Sequence, residues 1–453
     1  MEEKSPSNLV VKASKKRKTS LEDLENFSKE ELINRILQME IHNNQLKSII
    51  NKSVPVDCLN RNLAEKKRRK FDFTKCCKRH VLLKFLYLGW DYQGYTVQED
   101  TINTIEHHLF AALTKCCLVE SRQTSNYARC GRTDKGVSSF CQVVSLDIRS
   151  KLTQEQLSAG EGTTEELDYP KLLNRVLPPD IRVLAWCPAP PDFSARFNCK
   201  QRTYKYFFPR GNLDIKAMDT AVQYVVGSHD FRNLCKMDVG NGVVKYDRQI
   251  LSARVNIIAT DSKHNNSSAS SAYDMCELTL VGQAFLWHQV RCIMGILLLI
   301  GQGRESPEVM KELLDIENHS RKPQYQLASH LPLNLFHCEF DCSDWVISNE
   351  VLLDVIRGLQ QEWTTCTVKS TMIRSMLQEC QSLIPGGNEM REQSACLLQG
   401  VQPKVYQHLF QRPTCSSLEN RIEHFVKKQR LEVLTTDKES IPVENQDSRD
   451  LQS

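Results

Sequence analysis

The sequence predicts an α+β protein built from two halves, and three observations lead there. Strand-like apolar runs such as His80–Leu88 alternate with segments of helical spacing such as Thr104–Leu118. The order strand, helix, strand then restarts after Pro188-Ala-Pro-Pro191. An apolar share of 40% beside a charged share of 25% lets 453 residues bury a sizeable core.

Residues 1–78 read as a helical and basic appendage, partly disordered. Lys15-Lys16-Arg17-Lys18 and Lys66-Lys67-Arg68-Arg69-Lys70 suit nuclear import or polyanion binding, or form a solvated arm. From Leu32 the steps Leu32, Ile36, Met39, Asn43, Leu46, Ile50 make a short heptad seam with Asn43 at an a-type position. A coiled coil and a surface helix packed on the body both fit so short a seam. Residues 51–70 read as a linker.

The first half spans 79–190. It carries strands at His80–Leu88, Phe140–Ile148 and Ile181–Trp186, a helix over Thr104–Leu118, and a polar surface insertion at Lys151–Glu166. The second half spans 191–345. Strands are expected at Tyr204–Phe208, Ile250–Ile258 and Met275–Val281, and helices at Met218–Val226 and Phe285–Ile300. Two such halves would leave a cleft between their sheets, where substrate sites tend to lie. Residues 346–432 form a C-terminal extension, mixed and irregular apart from a short basic helix at Asn420–Arg430. Residues 433–453 read as a disordered tail.

Bulk properties narrow the class. A net charge of +4 does not itself announce a polyanion partner; the clustering of the charge says more. Met1-Glu2-Glu3-Lys4 lacks the apolar stretch of a signal peptide, and Ile293–Ile300 is far too short to span a bilayer. The 18 cysteines include no Cys-x-x-Cys pair, and Cys76-Cys77 and Cys116-Cys117 do not fit metal-ligand spacing. They read as reduced, mostly buried thiols of an intracellular protein.

The densest chemistry lies in Arg129-Cys-Gly-Arg-Thr-Asp-Lys-Gly-Val137. Its glycines allow positive φ and close approach of a ligand, and its cations suit phosphate. Asp134 sits where a turn presents its carboxylate; equally, Asp134-Lys135-Gly136 is the composition of a plain turn.

Gly131-Arg-Thr-Asp-Lys-Gly-Val137 resembles the central motif of the TruA family of tRNA pseudouridine synthases. Three further segments resemble that family's other motifs, in the same order. They are Tyr87-Leu-Gly-Trp-Asp-Tyr-Gln-Gly-Tyr95, then Phe193–Phe197 with Arg202-Thr-Tyr-Lys-Tyr206, then Gly282–Arg291. Together they cover residues from about 80 to 340. Ser125-Asn-Tyr127, Asn233–Met237 and Lys322–Tyr325 resemble the eukaryotic branch that acts on uridines 38 and 39 of the anticodon stem-loop. Ser138 departs from the histidine that many members carry after the valine, which puts in doubt any role for a histidine there.

The resemblance implies the pseudouridine synthase fold: two α/β halves around a central, mainly antiparallel sheet with a basic cleft. It implies an isomerase with tRNA as substrate and a homodimer; the reduced thiols, the missing signal-peptide stretch and the basic runs point to nucleus and cytoplasm with no membrane partner. The reaction rearranges one nucleotide, so no metal or other cofactor is expected. Asp134 is the catalytic carboxylate by this likeness, attacking C1′ or removing the C2′ proton. Already ionised at neutral pH, it would need positioning more than pKa tuning. Tyr204 carries over to the uracil pocket; Tyr204 or Tyr206 packed in the core is the plainer reading. Three roles are open to Arg132: pairing with Asp134, filling the space of an extruded base, or gripping phosphate. Arg291 binds phosphate, closes the active-site salt network or caps structure. His288 reads as a satisfied helix residue. Two other classes are weaker. A chemistry-free RNA-folding factor would have lost the carboxylate or the tyrosine, and a zipper-type transcription factor would leave the α/β body unused.

Overall fold

The computed structural model describes residues 71–158, 165–259, 271–341, 344–384, 393–400 and 405–427. The expected heptad seam of 32–50, both basic runs and the tail of 433–453 lie outside these residues.

In chain order the main elements are β1 (Lys78–Tyr87), α1 (Ile105–Lys115), β2 (Ala128–Arg129), β3 (Ser138–Arg149), α2 (Gln154–Ser158), α3 (Tyr169–Asn174) and β4 (Ile181–Pro188). Then follow β5 (Gln201–Pro209), α4 (Ile215–Gln223), β6 (Gly227–Asp230), β7 (Asp247–Ala259), β8 (Met275–Gly282), α5 (Gln289–Gly301), α6 (Val309–Leu314), β9 (Leu333–Glu339) and α7 (Asn349–Ser382). A last helical stretch covers 418–427.

The strands form one nine-stranded sheet in the order β4-β1-β3-β9-β5-β8-β7-β6, with β2 paired on β3. Every pairing is antiparallel except β3 with β9. The cleft expected between two sheets is therefore a feature of one continuous sheet. β9 is the seam: it pairs with β3 on one side and β5 on the other.

The cores show why the halves fold as they do. On β1, Val81, Leu83, Phe85 and Tyr87 point to the same core as Ile105, Leu109 and Leu113 of α1, while Leu82 points to the other face. That is the two-residue period of a strand buried on both sides. Thr104 caps α1 by accepting the His107 N–H at 3.3 Å. In the second half, all thirteen residues of α5 are buried. A helix apolar on every side belongs inside a core. No described helix is long and apolar enough to cross a membrane. The C-terminal extension differs from expectation: it holds the 34-residue α7, capped by Ser348.

Candidate active site in the basic cleft

Asp134 opens a tight turn closed by the Val137 N–H, which donates to the Asp134 carbonyl at 3.1 Å. Gly136 takes φ +74°, and a Cβ there would lie 2.1 Å from His330 Cδ2. Both backbone and space therefore call for glycine. Upstream, Gln142 on β3 holds the loop at both polar ends of Gly131: its amide oxygen accepts the N–H and its amide nitrogen donates to the carbonyl, each at 3.1 Å. The Thr133 hydroxyl lies 2.7 Å from that of buried Tyr87. Ser138 has a task of its own, since its hydroxyl accepts the Gly89 N–H at 2.9 Å.

The Asp134 carboxylate turns toward the start of α5 rather than to its own backbone. Trp287 Nε1 donates to Oδ1 at 3.2 Å. His288 Nε2 lies 3.3 Å from Oδ2, and the nearest Arg291 nitrogen 3.8 Å from the same oxygen. Burial lifts the Asp134 pKa above its usual range, opposed chiefly by the Arg291 charge and then by the Trp287 hydrogen bond and Lys236. The carboxylate is tuned as well as positioned, which corrects the reading of an unperturbed aspartate.

Arg291, and not Arg132, supplies the paired cation. It is 4% exposed, and it also donates to the Ala328 carbonyl at 2.9 Å and to Gln399 Oε1 at 2.7 Å. Of the roles open to it, the salt network is the one this geometry occupies. Arg132 is exposed, lines the cleft, and forms no ion pair among the described residues; its charged neighbours include Arg129 and Arg196. His288 is no ordinary helix residue either. It precedes α5 at φ +60°, and its Nδ1 is buried with no partner among the described residues. Burial, reinforced by Arg291, Lys236 and Lys322, pushes its pKa down to about 3. The ring is thus neutral and faces the carboxylate as a dipole rather than as an ion.

Tyr204 stands half-buried on the cleft wall, its ring 4.9 Å from Phe285 at 78°. Burial raises its phenol pKa, so the hydroxyl keeps its proton. Tyr206, two residues on, is fully buried, so the core-packing reading applies to Tyr206. The cleft holds about 1110 Å³ and is lined by Arg122, Arg129, Arg132, Lys135, Arg196, Arg202, Lys236, Arg248 and Arg291, against the acids Asp134 and Asp238. Phe197, 78% exposed, lines it too. Such a surface suits a phosphate backbone with bases that can stack.

Gln142, Trp287 and His288 escaped sequence reasoning as site residues. The signal for the last two was present, because both lie inside the motif segment that ends at Arg291.

Residues 221–341 match the family model described as tRNA pseudouridine synthase. The chain is 46% identical to the human tRNA pseudouridine(38/39) synthase over 90% of both chains. It is 40% identical to the Saccharomyces cerevisiae protein of the same name over 77% of both chains. The tRNA pseudouridine synthase A of Methanosarcina mazei is 30% identical over 52% of this chain and 76% of that one. With the four motifs arranged around one cleft, this extent of likeness places the chain in the tRNA pseudouridine synthase family, isomerases that convert uridine to pseudouridine.

Proposed function

We propose that this enzyme isomerises uridines 38 and 39 of the tRNA anticodon stem-loop, the positions in the names of its human and yeast relatives, with Asp134 as the carboxylate that acts on the ribose. One observation carries the assignment. In the cleft, Asp134 has a hydrogen-bonding indole, a neutral histidine and a buried arginine gathered on its two oxygens.

In the reaction the bond from C1′ to N1 breaks, the uracil turns, and C5 bonds to the same C1′ as its proton leaves. Asp134 serves as nucleophile at C1′ or as base toward the C2′ proton. Both roles need the ionised form, and Arg291 and Trp287 favour it inside a site whose burial opposes it. A uridine in a stem must be extracted before this chemistry begins. Stacking on Tyr204 offsets the extraction by about 1–3 kcal/mol. Arg132, exposed among other cations, grips phosphate.

The test compares wild type with Asp134→Asn on a tRNA transcript, mapping pseudouridine chemically. Loss of at least about 10³-fold in rate is expected for a group of this kind. A mutant that keeps its activity overturns the assignment.

Two further readings belong here. Residence in nucleus and cytoplasm is a further reading, its nuclear part supported by the basic runs before residue 79, which suit nuclear import. A homodimer is supported by α7, which exposes Leu353, Ile356, Trp363, Met372, Ile373 and Met376. Light scattering on the full chain and on a chain lacking residues 1–70 separates that helix from the 32–50 seam. A dimer that survives the truncation favours α7, and a full chain that is monomeric overturns pairing altogether.

A further inference from the structure

Beneath the Asp134 loop three cysteines from distant parts of the chain converge. The sulfurs of Cys130, Cys199 and Cys338 all lie within 4.8 Å of one another, and all three residues are buried. Cys130 follows β2 and immediately precedes the Gly131–Val137 loop; Cys199 lies just before β5, which carries Tyr204; Cys338 is on β9. Buried thiols commonly serve as small apolar packing. Here, however, a charged group stands beside them. The Arg202 guanidinium is 9% exposed and donates to the Cys130 carbonyl at 3.2 Å and the Arg196 carbonyl at 3.0 Å. Its charge acts on all three sulfurs. The carbonyls satisfy its N–H groups but do not neutralise it.

We propose that Cys130, Cys199 and Cys338 form a three-thiolate site for a zinc ion that ties the Asp134 loop to β5 and β9.

Bond lengths fit. Zinc–sulfur bonds of about 2.3 Å at tetrahedral angles set sulfurs about 3.8 Å apart. The sulfurs lie no more than 4.8 Å apart, so reaching that spacing takes at most a side-chain adjustment. Charge balance selects a divalent ion. When three thiols give up their protons to solvent on binding, three thiolates and Zn²⁺ carry a net charge of −1, which Arg202 neutralises; a monovalent ion would leave a buried negative charge. Cys130 and Cys199 both line the cleft, so water can reach the ion and complete the tetrahedron. The ion would position the loop and take no part in the isomerisation, so this inference stands or falls apart from the role of Asp134.

The probe is Co²⁺, whose thiolate complexes absorb in the near ultraviolet. Full-length protein is reduced, stripped with a chelator, titrated with Co²⁺ and then with Zn²⁺. One Co²⁺ per chain is expected, with a sulfur-to-cobalt band that Zn²⁺ abolishes. Cys199→Ser and Cys338→Ala are each expected to lose the band and weaken Zn²⁺ binding by about 100-fold or more, beyond the loss typical of outer-shell changes. Cys276→Ser, at a buried thiol on β8, is expected to keep both. A wild-type protein with no such band, or a band that survives Cys338→Ala, overturns the site and leaves the trio as packed thiols. The wild-type titration decides this even where a variant fails to fold.

Discussion

Around Asp134 the neighbouring cations of the first half and the Arg291 of the second are used in opposite ways. On the first half, Arg132 and Lys135 flank Asp134 in sequence yet stay exposed toward the cleft. On the second half, Arg291 is 4% exposed and is committed to Asp134, Ala328 and Gln399. The first half thus presents the acid, and the second supplies the charge and dipoles that set its ionisation. A carboxylate raised by burial and held down by a partner from another part of the chain is complete only when both halves are assembled through β9. The chemistry is coupled to folding of the whole sheet.

The sharpest way to break this division is Arg291→Gln. Removing the buried arginine takes from a half-buried carboxylate its chief counter-charge and leaves only the Trp287 hydrogen bond and Lys236 to favour the ionised form. Turnover is expected to fall by at least about 10²-fold. The pH profile gives an independent reading. Asp134 must be ionised to act, and its pKa is already raised, so the wild-type rate falls on acidification at a higher pH than an exposed aspartate would give. Taking away the Arg291 charge raises that pKa further, so the acid limb moves upward. An acid limb that stays in place refutes control from the second half. His288, held near pKa 3, contributes no limb of its own in the neutral range.

Tyr204→Ala comes next. Phosphate contacts dominate affinity for a nucleic acid, so tRNA binding is expected to stay within several-fold of wild type. Turnover falls by about 5- to 150-fold, the rate equivalent of the 1–3 kcal/mol of stacking on one base. Loss of binding in step with turnover would show that Tyr204 shapes the cleft instead of serving the extracted uracil.

These partners also mark where sequence reasoning stops. β1, β3, β5, β7 and β8 were legible because long apolar runs announce them, and the turn at Asp134 because glycine and charge crowd into nine residues. β9 was not. Leu-Asn-Leu-Phe-His-Cys-Glu is short and half polar, and its burial comes from strands remote in the chain. α7 was missed although Ile356, Leu359, Trp363, Cys366, Ile373 and Leu377 step along it at heptad spacing; these residues face outward instead of into a core. Pairing with Asp134 was one of three roles open to Arg132, suggested by its place two residues away, whereas the Trp287 contact spans 153 residues. Local spacing identifies the acid, and tertiary pairing chooses what surrounds it. The thiol trio is the same lesson: Cys130, Cys199 and Cys338 share no motif spacing.

Trp287→Phe sharpens the comparison more gently. It keeps an aromatic face for Lys236, which lies 4.0 Å from the ring centroid, and deletes only the N–H on Asp134 Oδ1. A hydrogen bond to a charged group contributes about 1.5–3 kcal/mol. Because this indole is 40% exposed, water recovers part of that. A loss of about tenfold is expected, with an upward shift of the acid limb smaller than in Arg291→Gln.

The smallest effect is expected at Arg132, and it separates the two arginines most cleanly. An exposed cation among Arg129 and Arg196 contributes to tRNA binding through phosphate, so Arg132→Ala weakens binding several-fold. The salt dependence of binding then loses about one unit of slope, the mark of one phosphate contact removed. The acid limb should barely move, because the largest influences on Asp134 are burial, Arg291, Trp287 and Lys236. Kinetics at two salt concentrations and across the acidic range check both statements. If Arg132→Ala instead moved the acid limb while leaving the salt slope alone, the first half would be controlling its own acid, and the division between the halves would fail.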